Sequence, residues 1–323
     1  MKRFIYNLLV YVIILSMIMV ALNLIYGRSH NTNPDTNKFI HMPDVIQICN
    51  FGTSHSMRAF NYGDFKSDYD CFNFALTAQR LSYDYRIFQY YGDHVVEGSV
   101  VFIGISYISL FGPDEVDDDG FAIKNERYYS ILPAPLIKEY DLKTDLCVRF
   151  FPALVTSTSD LIVALLGQSE ATYNKSWQTT ATTEDIRKSA VERANAQAGN
   201  KEQYYDRDGN RIENQKEIDA LYALIRGCQE KGAIPILITT PFLQEFTDAV
   251  KESAPDFYDH FYSIMDQVVQ DTGVEYYDYA FDERFTHKYS WFSDADHINM
   301  EGARNFTNIL MEEVVYANGY LDK

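Results

Sequence analysis

Four apolar runs of strand length place the strongest constraint on what this chain can fold into. Val45-Ile46-Gln47-Ile48-Cys49, Ser99-Val100-Val101-Phe102-Ile103-Gly104-Ile105, Ala233 to Thr240 and Val274 to Tyr279 contain few polar breaks. Strands of that kind are covered on both faces, as in parallel sheets. A shorter candidate lies at Cys71-Phe72-Asn73-Phe74. Helical patterns separate the runs. Ile218 to Glu230 gathers Ile218, Leu221, Tyr222, Leu224 and Ile225 on one broad face and stops just before Gly232. Glu301 to Tyr316 repeats the logic with Phe306, Ile309, Leu310 and Val314. The pattern predicts an α/β fold, a three-layer sandwich around a parallel sheet of about five strands.

Leu110 to Gln215 is too long for a simple crossover and predicts an insertion. Inside it, Ser159 to Gly167 is apolar enough for a core helix, a lid, a membrane-facing patch or a partner surface. Tyr204 to Ile212 lacks the glycine position and the distal glutamate of a calcium loop, so a hairpin turn at Asp208-Gly209-Asn210 is expected there.

The N-terminus has a different character. Lys2 and Arg3 precede an apolar run from Phe4 to Tyr26, broken only by Asn7, Ser16 and Asn23. As a helix it would extend about 35 Å, enough to cross a bilayer. It is longer than a signal-peptide core, and the residues around Ala21-Leu22-Asn23 offer no small-x-small cleavage site. Residues 1–28 therefore read as an uncleaved membrane anchor, 29–42 as a polar tether, and 43–323 as an extracytoplasmic domain carrying the insertion. Lys2 and Arg3 favour a cytoplasmic N-terminus on a single-pass protein of the cell membrane, with Arg28 as one opposing charge.

Charge narrows the partners. The whole chain carries −18, and removing the anchor, with three basic and no acidic residues, leaves 25 basic against 46 acidic residues. That balance argues against nucleic acid, which is held by clustered Lys and Arg. It also argues against a basic patch on anionic lipid, so the expected attachment is the apolar helix. Four cysteines, Cys49, Cys71, Cys147 and Cys228, show neither close pairing nor metal-type spacing, and they read as buried thiols.

The residues that carry chemistry sit at the two ends of the outer domain. Gly52-Thr53-Ser54-His55-Ser56 follows the first strand. A serine at a strand-to-helix turn can point its hydroxyl into the cleft at the strand's carboxyl end, near backbone N–H groups able to receive an oxyanion. The second glycine of a Gly-x-Ser-x-Gly elbow is absent, which argues against the α/β-hydrolase class. Asp294-Ala295-Asp296-His297-Ile298-Asn299 precedes the last helix. An imidazole there can deprotonate a serine, and a carboxylate three residues earlier can hold its other ring N–H. The competing structural readings are a turn serine that caps a helix, and an aspartate cap beside a surface histidine.

These two segments resemble the SGNH (GDSL-type) hydrolase superfamily, in particular its membrane-anchored cell-envelope branch, which includes alginate O-acetylation proteins and the D-alanyl-lipoteichoic acid biosynthesis protein. The resemblance covers most of residues 43–316 and is carried by Ile48 to Ser56 and Asp294 to Ala303. It implies an SGNH/flavodoxin-like sheet, Ser54 as nucleophile, His297 as general base and Asp294 as its orienter. Two blocks depart from the pattern. Residues 64–91 contain no glycine where the family supplies an oxyanion-hole N–H, and Gly104-Ile105-Ser106-Tyr107 stands where the family has Gly-x-Asn-Asp. Asn73 and Ser106 are the candidate replacements as oxyanion donors, and His55 is a candidate substrate contact.

Three functions follow as alternatives. The first is a serine acyl-esterase or O-acyltransferase that needs no cofactor or metal and acts on acyl esters of cell-envelope polysaccharide. The resemblance implies a membrane-bound O-acyltransferase as its partner and source of the acyl donor. The second is a catalytically inactive glycan-binding or scaffold protein of an envelope acylation system. The third is a metal-dependent hydrolase using Asp294, Asp296, His297 and His55, disfavoured because no second Asp-x-His or His-x-x-x-His group supports it.

Overall fold

The computed structural model describes residues 2–28, 34–113, 125–152, 162 and 182–321. The chain divides into two compact units, Met1–Met42 with Asp117–Lys175, and Pro43–Val116 with Ser176–Lys323.

In the first unit, α1 (Lys2–Arg28) is one uninterrupted helix. Its stretch Lys2–Leu24 has a mean hydropathy of 2.5 and none of it is buried, so it is long and apolar enough to cross a membrane. Within the segment expected as a tether, Pro34–Asn37 and Lys38–His41 form two short helical turns with Phe39 buried. A further helix, Leu142–Phe150, is capped by Asp141, whose carboxylate accepts the Thr144 N–H at 2.6 Å. Asn23 Nδ2 donates to the Phe150 carbonyl at 2.9 Å. The apolar stretch Ser159 to Gly167 lies outside the described residues apart from Ile162.

The second unit holds the sheet. Its strands are β1 (Ile46–Phe51), β2 (Cys71–Asn73), β3 (Val95–Gly104), β4 (Ile234–Thr239) and β5 (Glu275–Asp278). All pairings are parallel, in the order β2-β1-β3-β4-β5. The central strands are buried along nearly their whole length, as their apolar runs require. The helices are α2 (Ser54–Ala59), α3 (Leu81–Tyr91), α4 (Thr183–Ala194), α5 (Gln215–Glu230), α6 (Gln244–Ser253), α7 (Phe257–Thr272) and α8 (Met300–Leu310). Helix α5 packs against both α3 and α7, while α2 packs against α8.

Helix α5 shows how the sequence pattern becomes packing. Asn214 caps it through the Glu217 N–H at 3.2 Å, and Ile218, Leu221, Leu224 and Ile225 are buried. Tyr222 is only half-buried, and its hydroxyl donates to Asp271 at 2.8 Å. Gly227 lets α3 approach, since a Cβ there would lie 2.8 Å from the Phe88 ring. Gly232 then adopts φ +72° to turn the chain into β4. The Asp-Gly-Asn segment is a tight hairpin, with Tyr205 bridged to Arg211 and the Asp206 carboxylate accepting the N–H groups of Asp208 and Asn210 at 2.9 and 2.8 Å.

With this strand order the connections leaving β1 and β3 diverge, and the cleft beyond their carboxyl ends is where ligands bind in open parallel sheets. Two glycines close the base of that cleft. Gly52 has φ +127°, and a Cβ on it would lie 2.7 Å from the Gly104 carbonyl and 2.8 Å from Ser56 Cβ. A Cβ on Gly104 would lie 2.5 Å from Ser56 Cβ. Gly52→Ala is therefore expected to lower unfolding stability by about 2–4 kcal/mol through strain and overpacking together. Denaturant unfolding checks this, and a loss below about 0.5 kcal/mol, the usual range of a surface change, would refute it.

Candidate active site

Strand β1 ends in a buried polar network that fixes the turn after it. Asn50 lies wholly buried and donates to Ser56 Oγ and to Asn73 Oδ1, both at 3.0 Å, while Tyr62 donates to Asn50 Oδ1 at 3.1 Å. Ser56 Oγ in turn donates to the Phe51 carbonyl at 2.7 Å. From α3, the buried Asp84 accepts the Gly52 N–H at 2.9 Å. Thr53 is the N-cap of α2, its hydroxyl accepting the His55 N–H at 3.3 Å. Ser54 thus opens α2 at the cleft and is only partly buried.

The loop before α8 supplies the facing groups. Asn299 caps α8 by accepting from Glu301 and Gly302 at 3.1 and 3.0 Å, and a Cβ on Gly302 would lie 2.3 Å from the Trp291 carbonyl. This close approach draws the Asp-x-x-His loop inward. Asp294 Oδ1 accepts the backbone N–H of His297 at 2.8 Å and of Asp296 at 3.2 Å. The same carboxylate lies 3.0 and 3.2 Å from His297 Nδ1, and His297 Nε2 lies 2.9 Å from Ser54 Oγ. An ionised carboxylate can only accept, so Nδ1 carries a proton, which leaves Nε2 of the neutral ring free to accept from Ser54. His297 therefore stands within hydrogen-bonding reach of both Ser54, 243 residues away in sequence, and Asp294.

A second chain of groups lies behind the first. His55 is buried and stacks on His297 with ring centres 4.6 Å apart. Its Nε2 lies 3.0 Å from Asp296 Oδ2 and its Nδ1 lies 2.8 Å from Ser106 Oγ. Burial pulls the His55 pKa down, outweighing the nearby Asp296. The neutral ring donates from Nε2 to the carboxylate, so the Ser106 hydroxyl donates to Nδ1. Asp296 is itself 1% exposed. Its Oδ1 lies 3.2 Å from His297 Nδ1 and 2.7 Å from Arg193 Nη1, and its Oδ2 accepts from Gln197 Nε2. Burial opposes its charge, yet His297 and His55 prevail and hold its pKa well below the carboxylate range.

The residues expected as oxyanion donors are engaged elsewhere. Asn73 Nδ2 donates to the Met57 carbonyl at 3.0 Å, and its Oδ1 accepts from Asn50 and, at 3.1 Å, from Ala75 N. Ser106 spends its proton on His55. Both side chains hold the loops around Ser54 in this geometry. His55 likewise faces Asp296 and Ser106, with 5% of its surface exposed. The cysteines are all free thiols, with Cys49, Cys71 and Cys228 buried and Cys147 half-buried.

One ligand atom from each of His55, Asp296 and His297 lies within 4.8 Å of the other two, a spacing a metal ion could use. The Arg193 guanidinium occupies the cationic role there, 2.7 Å from Asp296 and 3.5 Å from His297 Nδ1. A divalent ion would have to displace it, so the donor set fits charge compensation better than metal ligation.

Electrostatics sets a pH window. Burial lowers the His297 pKa, but Asp296 and Asp294 outweigh it and raise the value to about 9. A reaction that used the neutral ring as its base would quicken as pH rises toward about 9. Stability moves the other way. The contribution from protonated His297 is complete below its unfolded value, near 6.5, and is lost as pH rises through about 9. On the acid side, stability falls below about 6.5 because unfolded His55 takes up a proton that the folded ring refuses, and falls further as Asp296 protonates. Melting temperatures between pH 5 and 10 should trace a maximum near neutrality. A monotonic rise to pH 10 would contradict this assignment.

No family model matches this chain, and no curated protein does. Solved structures with a similar arrangement include the psychrotrophic esterase EstA from a Pseudoalteromonas species, in a form inhibited by monoethylphosphonate. It is 11% identical with a TM-score of 0.38, over 84% of this chain and 99% of that one. Another is a Bacteroides fragilis protein provisionally assigned as an acylhydrolase, 11% identical with a TM-score of 0.40, over 89% of this chain and 97% of that one. At these identities and scores neither likeness bears on the activity of this chain.

Proposed function

We propose that this protein is a membrane-anchored serine acyl-esterase or O-acyltransferase. The observation that carries the proposal is the 2.9 Å contact between Ser54 Oγ and His297 Nε2, with His297 Nδ1 held by Asp294. In that arrangement His297 takes the Ser54 proton as Oγ bonds to an ester carbonyl carbon, and the charge moves to the carbonyl oxygen. Collapse breaks the ester C–O bond, and His297 returns the proton to the departing alkoxide. Water or a sugar hydroxyl then gives its proton to His297 as its oxygen bonds to the acyl carbon, and as the bond to Ser54 Oγ breaks His297 returns that proton to Ser54. The backbone N–H of Ser54, at the start of α2, is the candidate oxyanion donor, with Asn73 and Ser106 shaping the surrounding loops.

The long apolar helix supports attachment to a membrane, and the excess of acidic residues supports a neutral or ester-masked substrate over an anionic one. The resemblance stated above directs the proposal to acyl esters of a cell-envelope polysaccharide, with a membrane-bound O-acyltransferase as partner and the folded domain outside the cell membrane. Full-length protein in detergent, treated with a fluorophosphonate, should gain one phosphonyl mass located by peptide mapping at Ser54. Supplying an acylated glycan and a deacylated acceptor then separates the two activities, since a transferase passes acyl groups to the acceptor faster than to water.

The engagement of Asn73 Nδ2 and of the Ser106 hydroxyl favours a second reading, a glycan-binding relative that no longer forms an acyl-enzyme. Glycan binding without any fluorophosphonate adduct would favour it over the first.

A further inference from the structure

Arg193 lies on α4, about 100 residues before the Asp-x-x-His loop, and no motif marks it. It is nevertheless the group that ties the loop's two carboxylates together. Nη2 lies 2.9 Å from Asp294 Oδ2, Nη1 lies 2.7 Å from Asp296 Oδ1, and Nη1 approaches His297 Nδ1 to 3.5 Å. The helix that carries it is itself fixed. Thr182 and Asp185 form a capping box at its start, Ile186, Ala190 and Ala194 are buried, and it packs on α6. The turn that follows presents the buried Gln197, whose amide also donates to Asp296. Two side chains of one segment thus converge on the carboxylate pair behind the base.

We propose that Arg193 is a positioning residue, which by bridging Asp294 and Asp296 both orients the carboxylates on His297 Nδ1 and limits how strongly their charge holds the ring protonated. The inference rests on the reading of Ser54 and His297 as nucleophile and base. Among the described residues, the charged and titratable groups facing His297 are Asp294 and Asp296 from its own loop, His55 from α2 and Arg193 from α4. Arg58 of α2 reaches the same loop by donating to Ser293 Oγ at 3.1 Å. Among these, Arg193 is the cation that touches both carboxylates. Without it, two negative charges face one ring with less to offset them, and the neutral base becomes scarcer at a given pH. Lysine keeps the charge, but a single ammonium lacks the forked donors that span two carboxylates.

The test is the rate of fluorophosphonate capture by full-length protein between pH 6 and 10, for wild type, Arg193→Lys and Arg193→Met, with histidine NMR titration of the same samples. Arg193→Met should move the His297 midpoint upward by about one pH unit or more, the usual effect of losing a like-charged neighbour within about 6 Å. Arg193→Lys should move it by less. If the midpoint stays at the wild-type value in both variants, whatever happens to the rate, the arginine is only a structural brace and the proposal is overturned. Should Arg193→Met fail to fold, as judged by thermal melting, an upward shift in Arg193→Lys supports the proposal and an unshifted midpoint overturns it. The NMR arm needs no catalysis. If wild-type protein is never captured, the serine chemistry fails while the His297 titration still decides the role of Arg193.

Discussion

Ser54→Ala should abolish covalent capture by a fluorophosphonate and lower ester turnover by about 10⁴-fold or more, while leaving the melting temperature nearly unchanged. The size follows from the chemistry lost. Without Oγ there is no atom 2.9 Å from His297 Nε2 to share its proton and attack the carbonyl, and what remains is binding plus electrostatic stabilisation, which in serine hydrolases sustains only a small fraction of the rate. The small effect on stability follows from the position. Ser54 is partly exposed at the first residue of a short helix whose cap is Thr53, so alanine gives up only the contact with the half-buried His297. His297→Ala should cost activity on a similar scale without an additive loss in the double variant, because the two groups act as one unit. Turnover that survives Ser54→Ala and is sensitive to chelators would move the chemistry away from the serine.

Asp296→Ala should destabilise the sheet-bearing unit by about 3–5 kcal/mol, on the order of 10 °C in melting temperature. The carboxylate is buried and meets His55, His297, Arg193 and Gln197 together. Its removal strands several buried donors, the situation in which breaking an ion pair costs most. The partial exposure of Arg193 lets water repair one of those losses, which places the expectation toward the lower end of the range. Asp296→Asn keeps an acceptor and should lose less. In either variant the His297 midpoint should fall from about 9 toward the ordinary histidine range, because the ring loses the larger of its two carboxylate influences. This shift is opposite in sign to that expected of Arg193→Met. Thermal unfolding and a histidine titration check both halves, and a midpoint that rises or stays fixed would show that Asp294 alone governs the ring.

The strands were legible because burial on both faces writes an apolar run into sequence, and all five candidates are strands in the sheet. Their ends were less so. The first run stops being apolar at Cys49, yet β1 continues through Asn50 and Phe51, because Asn50 finds partners in Ser56, Asn73 and Tyr62 that no local pattern reveals. Ser54 and the pair Asp294 and His297 could be found as short local motifs beside a strand end and a helix start. Asp296 sits in that same motif but was readable only as a ligand in the disfavoured metal alternative, since a loop lacks the periodicity that tells one face from another. Asp84, Arg193 and Gln197 were missed altogether. Each acts from a different helix or turn, 32 to about 100 residues from its partner, and contacts of that range leave no trace in spacing. Asn73 and Ser106 could be named as candidate donors by residue type, whereas the direction each amide or hydroxyl faces depends on competition among neighbours.

The stacking of His55 on His297, with ring centres 4.6 Å apart, limits how many protons the centre can store. Two positive rings at about that distance would repel by about 4 kcal/mol at an effective dielectric constant of about 20, and burial already disfavours the charge on His55. The pair therefore accommodates one positive charge and resists a second. In the proposed reaction His297 would therefore relay one proton at a time, beside an inner ring whose charge both burial and repulsion disfavour.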